Sequence, residues 1–387
     1  MFNSEIVDKL RTQQTPFYYY DLELLRQTVT KAKEAAEKYG FTNHYALKAN
    51  ANPRILTIIR ESGFGADCVS GNEITRALET GFTPDHIFFA GVGKTDNEIN
   101  LALDSGIGCF NCESLPELEV INQLAEAKNL VAPVALRLNP NIDAQTHHYI
   151  TTGLDENKFG ISIAQLDDVC SKMKELPNIK FMGIHFHLGS QITDLNVFRQ
   201  LCLVINDLQT KFDEYELPIE IINVGGGLGV NYKNPDIEQI PEFDTFFKLF
   251  SNQLVLRPEQ KLHFELGRAL VAHCGSLITR VLFVKPGISK TFLVVDAGMT
   301  DLIRPALYQA YHQVVNLTSS EPSEQYDVVG PICESSDVFS KNTHLPKSQR
   351  GDLLAYRTAG AYGETMASCY NLRTLIQAIY SDDFQEI

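Results

Sequence analysis

Three observations predict an α/β protein, a (β/α)8 TIM-like barrel followed by an all-β C-terminal domain. Eight short apolar runs bounded by turn signals alternate with amphipathic segments over the first two thirds of the chain. The first run is not followed by the G-x-G-x-x-G turn that a doubly wound open sheet would normally carry. After Glu265 the alternation stops, and turns rather than helix-length segments separate the apolar runs.

Taken in order, the aromatic run of "TPFYYYDLELL" reads as a strand that joins the later β-rich part. The barrel strands are "NHYALKA", "GADCVS", "HIFFAG", "IGCFNCE", "VAPVALRL", "IKFMGIHFHLG", "IEIINVGGG" and "KLHFELG". Between them, segments such as "NPRILTIIRESG", "GNEITRALETG" and "ESLPELEVINQLAEAKN" repeat apolar residues at i, i+3 and i+4 and stop near Gly or Asn, as helices do. "GSLITRVLFVKPG", "KTFLVVDAG", "YDVVGPIC" and "GDLLAYRTAGAY" then supply a second domain of strands. The expected boundaries are 24–265 for the barrel and 1–23 with 266–387 for the β domain.

A chain of 387 residues exceeds one small core. Its net charge of -15 argues against a nucleic-acid partner, which needs a concentrated basic face. The N-terminal "MFNSEIVDKLRTQQTP" has neither a basic n-region nor an apolar h-region, and no apolar run nears the roughly 20 residues that span a bilayer. The expectation is a cytoplasmic protein without a membrane partner. The 8 cysteines are scattered, which suits free thiols in a reducing compartment. Cys109 and Cys112 have C-x-x-C spacing, but they lack a second half-site and would face opposite sides of a strand, so no metal or redox site is expected.

In a barrel of this kind, reactive groups sit at the C-terminal ends of strands. Lys48 closes the first candidate strand, Asp67 lies in the second and Arg137 in the fifth. His185 and His187 end the sixth, Gly225, Gly226 and Gly227 end the seventh, and Glu265 ends the eighth. Lys48 either returns its head to water along an apolar stem or is kept for chemistry, because an unpaired buried ammonium is costly. The shared address of these polar residues favours the second reading. His185 and His187 share a strand face, either as metal ligands or as hydrogen-bonded core groups. "GGGLG" has Val230 where the dinucleotide fingerprint needs Gly, and reads as a tight turn or as an anion nest of N–H groups. Glu265, in an apolar strand, must be paired or protonated, and a cationic ring nitrogen would suit it.

Pyridoxal phosphate chemistry reconciles these groups. A lysine amine bonds the aldehyde, a glycine turn takes the phosphate, a carboxylate keeps the pyridine nitrogen protonated and an imidazole stacks on the ring. Decarboxylation or proton abstraction at the α-carbon of an amino acid would follow.

The segments "YALKAN", "GFGADCVSGNEITRAL", "GVGKTDNEI", "HFHLGSQI", "GGGLGV", "ELGR", "DAGMTDLIRPALYQAYH", "VVGPICESSDVF" and "GAYGETMASCYN" run from one end of the chain to the other. With them the chain resembles the fold-type III pyridoxal-phosphate-dependent decarboxylases. The stretch from "THHYITTG" to "KFGI" and "DLIRPALYQAYH" look like the diaminopimelate branch rather than the ornithine or arginine branches. The resemblance implies that Lys48 binds the cofactor covalently, His187 stacks on its ring, Asp67 binds the cofactor, Ser190 lies beside the phosphate, and Gly226 and Gly227 supply phosphate N–H groups. It implies that Glu265 holds the ring nitrogen, with Leu266 and Gly267 beside it, and that Arg268 approaches both phosphate and substrate. Arg304, Tyr308, Glu334 and Tyr362 would grip the substrate, Tyr362 would also touch the cofactor, and Cys333 would reprotonate the α-carbon. A thiol is a competent proton donor near neutral pH.

The implied reaction is decarboxylation of meso-diaminopimelate to L-lysine and CO2, the last step of lysine biosynthesis. The implied assembly is a homodimer in which Cys333 and Glu334 serve the partner's site. The arginines also make chemical sense, since a substrate with two amino acid ends needs cations for its distal carboxylate. Decarboxylation of another amino acid, of carboxynorspermidine, ornithine or arginine type, is the alternative. A non-catalytic cofactor-binding relative is the other, although such a protein would not need Lys48, Glu265 and Cys333 together. The chain departs from the family with Leu266 where Pro is usual, with Glu364 where a less polar residue is common, and with His148 where Pro is frequent.

Overall fold

The computed structural model describes residues 2–142 and 157–384. His148 lies outside the described residues. The chain divides into two compact units, one formed by Val29–Gly229 and Glu242–Gly267, the other by Met1–Thr28, Val230–Pro241 and Arg268–Ile387.

After a helix over Ser4–Arg11, strand β1 (Phe17–Tyr20) belongs to the second unit. The first unit then runs through β2 (Thr42–Ala46), β3 (Gly65–Cys68), β4 (Ile87–Phe89), β5 (Cys109–Cys112), β6 (Ala132–Asn139), the two-residue β7 (Ile161–Ser162), β8 (Ile179–His185), β9 (Ile221–Asn223) and β10 (Lys261–Leu266). All but β7 form a closed parallel barrel. Each of β2 to β5 pairs with the next, β6 pairs with β8, β8 with β9, β9 with β10, and β10 returns to β2. β7 pairs with the end of β6. The strands read as continuous apolar runs because helices cover the outside and side chains fill the inside.

The helices start and stop where local chemistry dictates. Ser70 accepts the Glu73 N–H at 3.2 Å to cap the helix Gly71–Thr80, which ends at Gly81 with φ 93°. Thr95 and Glu98 form a reciprocal capping box on Asp96–Ser105. On the outer face of β10, Phe264 meets Phe247 and Phe250 edge to face, with ring centroids 4.8 and 5.0 Å apart. Truncating such a ring to alanine costs about 3–5 kcal/mol. Inside the barrel, His44 and His263 join through Nε2 and Nδ1 at 2.9 Å and pack against Phe88.

In the second unit, β11 (Gly275–Pro286), β12 (Thr291–Val295), β13 (Val314–Asn316), β14 (Ser323–Val329), β15 (Val338–Pro346), β16 (Leu353–Tyr356) and β17 (Ala378–Tyr380) join β1 in an 8-stranded sheet. Its main path runs β13-β16-β11-β12-β14-β15. β1 lies antiparallel to β11, Phe17 facing Ile278 and Tyr20 facing Gly275, and parallel to β17. The N-terminal aromatic run therefore joins the β-rich part of the chain. Its Phe17 and Tyr19 rings bury there with Leu10, Ile278, Leu353 and Ile379. The unit also holds short helices at Arg268–Val271 and Arg304–Tyr308. The segment Val230–Pro241 is tied into it by a two-pronged ion pair, in which Asp236 accepts from Arg357 at 2.8 and 3.0 Å.

Candidate active site

The register of the barrel strands builds a polar layer above the His44–His263 pair. Glu265 lies beside His44 on β2, and its N–H bonds the Gly225 carbonyl at 2.9 Å. The Glu265 side chain is buried, with 4% of the residue exposed. Its Oε1 accepts from Asn223 Nδ2 at 2.8 Å and from Asn111 Nδ2 at 3.3 Å, and its Oε2 accepts from His185 Nε2 at 3.1 Å. Burial opposes the charge on Glu265, but His185, by its field and its hydrogen bond, and the nearby Lys48 ammonium together hold the carboxyl well below the usual range. A carboxylate offers about four lone-pair positions. Donors among the described residues use three, which leaves one for a further donor.

Lys48 sits just past β2, in the 3-10 turn Leu47–Ala49, rather than in the strand. The turn forms because Asn52 caps, and Pro53 opens, the helix that follows, which takes the chain out of the sheet. Its Nζ lies 3.0 Å from Asp67 Oδ2, and Asp67 is fully buried. The lysine head is thus paired with a buried carboxylate. Burial, and then the Glu265 charge, push the Asp67 carboxyl above its ordinary value, against the pull of Lys48. The other Asp67 oxygen has no hydrogen-bond partner among the described residues.

His187 lies two residues beyond the end of β8, and its Nδ1 accepts the Gly226 N–H at 3.3 Å. Burial, with Lys48 and Arg137 adding their charges, drives its pKa well below the usual histidine value, so the ring is neutral. The glycine turn follows β9. A Cβ on Gly226 would fall 2.1 Å from the Glu265 carbonyl oxygen, so only glycine allows β10 to approach this closely. Gly227 has φ +105°, a conformation that side chains disfavour. Ser190 is half-buried in the turn after His187, and Leu266, buried, ends β10 just before Gly267.

Asn111 and Asn223 were not legible as site residues, although an amide within a short apolar strand is the signal that could have found them. Glu113, the residue after β5, was also not singled out; it meets the Arg137 guanidinium at 2.6 Å and accepts the Gly160 N–H at 2.8 Å. His185 proves to be the donor to Glu265 rather than a metal ligand. Among the described residues no group of three His, Cys, Asp or Glu could hold a metal ion. Cys109 and Cys112 are buried free thiols.

The remaining candidates belong to the second unit. Arg268 lies with its guanidinium 4.8 Å from the Tyr362 ring and donates to the Tyr232 hydroxyl. Arg304 lies 5.5 Å from the Tyr232 ring and 6.0 Å from that of Tyr308, and its Nε donates to His312 Nε2 at 3.3 Å. It is 6% exposed and forms no ion pair among the described residues. Cys333 and Glu334 stand together on an exposed turn between β14 and β15. The Cys333 N–H donates to Asn371 Oδ1 at 3.0 Å, and Tyr370 donates to Glu334 at 2.7 Å. Glu364, the unexpectedly polar residue, accepts from the Tyr20 hydroxyl at 2.7 Å.

The barrel layer suits pyridoxal phosphate. It offers an amine beside a buried carboxylate with an unfilled oxygen, an ionised Glu265 with one acceptor position left for a cationic ring nitrogen, and a glycine turn that no side chain could replace. Fold and site define a barrel-type enzyme that uses this cofactor. The chain belongs to the pyridoxal-dependent decarboxylases, whose pyridoxal binding domain matches residues 25–272. It is 59% identical over 378 residues to the diaminopimelate decarboxylase of Bacteroides thetaiotaomicron, covering 97% of this chain and 98% of that one. To the diaminopimelate decarboxylase of Helicobacter pylori it is 40% identical over 389 residues, covering 99% and 94%. The crystal structure of diaminopimelate decarboxylase from Helicobacter pylori complexed with L-lysine superposes with a TM-score of 0.92 at 39% identity, covering 98% of this chain and 94% of that one.

Proposed function

We infer that the protein decarboxylates meso-diaminopimelate to L-lysine and CO2, the last step of lysine biosynthesis. The carrying observation is the 59% identity to a diaminopimelate decarboxylase across 97% of the chain. Bound pyridoxal phosphate supplies an aldehyde for the substrate amine and a ring that accepts the electron pair left when CO2 departs.

The chain's own residues do the rest. Lys48 holds the cofactor covalently at rest, with Asp67 orienting its amine. Glu265, kept ionised by His185, Asn111 and Asn223, retains a proton on the ring nitrogen. His187 stacks on the ring, and Ser190, Gly226, Gly227 and the backbone of Leu266 and Gly267 bind the cofactor, with Arg268 and Tyr362 contributing. Arg268, Arg304, Tyr308 and Tyr362 hold the substrate, Arg304 taking the carboxylate at the end that does not react. Its buried guanidinium, without an ion-pair partner among the described residues, supports that role.

Cys333 delivers the proton to the α-carbon, and Glu334 takes the distal ammonium. Both serve the site of a second copy in a homodimer. Leu372, which follows the Asn371 that accepts the Cys333 N–H, is 98% exposed and supports a covered face there. No helix among the described residues is long and apolar enough to cross a membrane. The cytoplasm is the compartment that suits a biosynthetic enzyme of this kind. The test is turnover of the purified holoenzyme on meso-diaminopimelate, with CO2 and lysine both quantified. Absence of lysine would sink the assignment.

A further inference from the structure

Tyr232 and His312 have no part in the chemistry above, yet both hold the arginines of the second unit. His312 is 3% exposed, and its Nδ1 lies 3.0 Å from the Arg357 carbonyl oxygen. A carbonyl only accepts, so the ring proton sits on Nδ1. The lone pair is then on Nε2, where the Arg304 Nε–H, which only donates, meets it at 3.3 Å. Burial, followed by the Arg304 charge, lowers the His312 pKa to about 3, so the ring stays a neutral acceptor across the working range. With Nε engaged, both Nη groups of Arg304 are left to face an incoming anion.

Tyr232 completes the arrangement. The Arg304 guanidinium lies 5.5 Å and the Arg268 guanidinium 5.8 Å from its ring, and Arg268 also donates to its hydroxyl. The same ring stands edge-on to His312, with centroids 5.3 Å apart at 85°. Arg357, whose carbonyl orients His312, is clamped by Asp236, which lies four residues after Tyr232 on the segment Val230–Pro241. The network closes on itself. It holds two like charges against one aromatic ring, and the Arg304 charge is buried without an ion pair among the described residues. Such an arrangement is costly unless an anion joins it.

We propose that His312 and Tyr232 are positioning residues that set the Arg304 guanidinium, with Arg268 beside it, to receive the carboxylate the reaction leaves intact, and so distinguish amino acids that keep this carboxylate from amines that lack it. The proposal rests on the diaminopimelate reading for its substrate.

The experiment compares holoenzyme variants His312→Leu, His312→Gln and Tyr232→Phe by KM and kcat on meso-diaminopimelate. It adds inhibition constants for L-lysine, which keeps the carboxylate, and for 1,5-diaminopentane, which lacks it. A lost hydrogen bond to a charged group corresponds to about 10-fold or more in binding. His312→Leu should therefore raise KM and the lysine constant by about that factor, leaving kcat within a few-fold and the 1,5-diaminopentane constant nearly unchanged. His312→Gln, whose amide oxygen can occupy the Nε2 position, should recover most of the loss, and Tyr232→Phe should weaken lysine alone. Equal weakening of lysine and 1,5-diaminopentane, or no weakening of lysine, would overturn the proposal. Should His312→Leu fail to fold, Tyr232→Phe tested on the same inhibitor pair decides. The inhibitors also separate the two readings: a wild-type protein that binds lysine over 1,5-diaminopentane but forms no lysine from diaminopimelate fails the substrate assignment and not this role.

Discussion

Glu265→Gln exchanges one oxygen for nitrogen at the centre of the barrel's polar layer, and the surroundings allow its consequence to be separated from simple unfolding. In the native protein two amide donors meet Oε1 and one imidazole donor meets Oε2. A glutamine can point its oxygen at Asn111 and Asn223 and its amide at His185. His185 can then move its proton to Nδ1, which has no partner among the described residues, and accept through Nε2. The hydrogen bonds are kept and the charge is lost. A unit charge pair about 3 Å apart at an effective dielectric of about 20 is worth about 5 kcal/mol. That is roughly four pKa units on a ring nitrogen placed there, enough to leave it unprotonated at neutral pH. Removal of one such electrostatic stabiliser costs about 10²–10³ in kcat. The assay is kcat on meso-diaminopimelate beside the visible spectrum and thermal unfolding of the same sample. The variant should melt close to wild type and keep the cofactor bound through Lys48 while losing turnover by that factor. A variant with native melting and a kcat within about fivefold of wild type would refute the role of the charge.

Lys48→Ala should abolish the visible band of covalently held cofactor, and a retained band would assign the linkage to another lysine. Cys333→Ala should keep that band and its cofactor affinity while losing most turnover, whereas unchanged turnover would remove the thiol from the mechanism. His44 is held neutral in the fold, with burial lowering its pKa to about 4 against about 6.5 in the unfolded chain. The unfolded state therefore binds more protons between those values, and His44 alone should contribute a fall in stability of about 3 kcal/mol as pH drops through that window. Denaturant titrations across that pH range should show the slope in the wild type and a shallower one in His44→Leu combined with His263→Leu, the remainder coming from the other buried neutral histidines, His187 and His312 among them.

Much of the barrel was legible because its physics is local. Apolar runs of strand length, capping residues such as Ser70 and Thr95, and stops such as Gly81 place β2 to β6 and β8 to β10 without reference to tertiary contacts, whereas the two-residue β7 is too short to leave such a signal. The rule that reactive groups gather at strand ends then marks Lys48, His187 and Glu265. Asn111, Asn223, Tyr232 and His312 were hidden for the opposite reason. What each does depends on a partner far away in sequence: Asn111 acts on Glu265, and Tyr232 acts on Arg268 and Arg304. His185 illustrates the boundary. A histidine two residues before another suggests a pair of ligands, but β8 brings it against a carboxylate on β10, and only the register across the barrel reveals that.

The same layer explains why two buried carboxylates can share one barrel without sharing one role. Among the described residues Glu265 is surrounded by three donors and driven toward the charged state, whereas Asp67 has one cationic partner and one oxygen with no hydrogen-bond partner, and is driven the other way by burial and by Glu265 itself. Environments that push two titratable groups apart mark a division of labour. The permanently ionised group suits a ring nitrogen that must stay protonated throughout. The readily neutralised one would suit a lysine that reacts as a free amine, since Asp67 could take up a proton beside it rather than be left as an unpaired buried anion. A hydrophobic filling of this layer would make a more stable barrel. The polar layer is therefore the clearest sign within the barrel that stability has been yielded to chemistry, and the direction of each carboxylate's shift shows which part of that chemistry it serves.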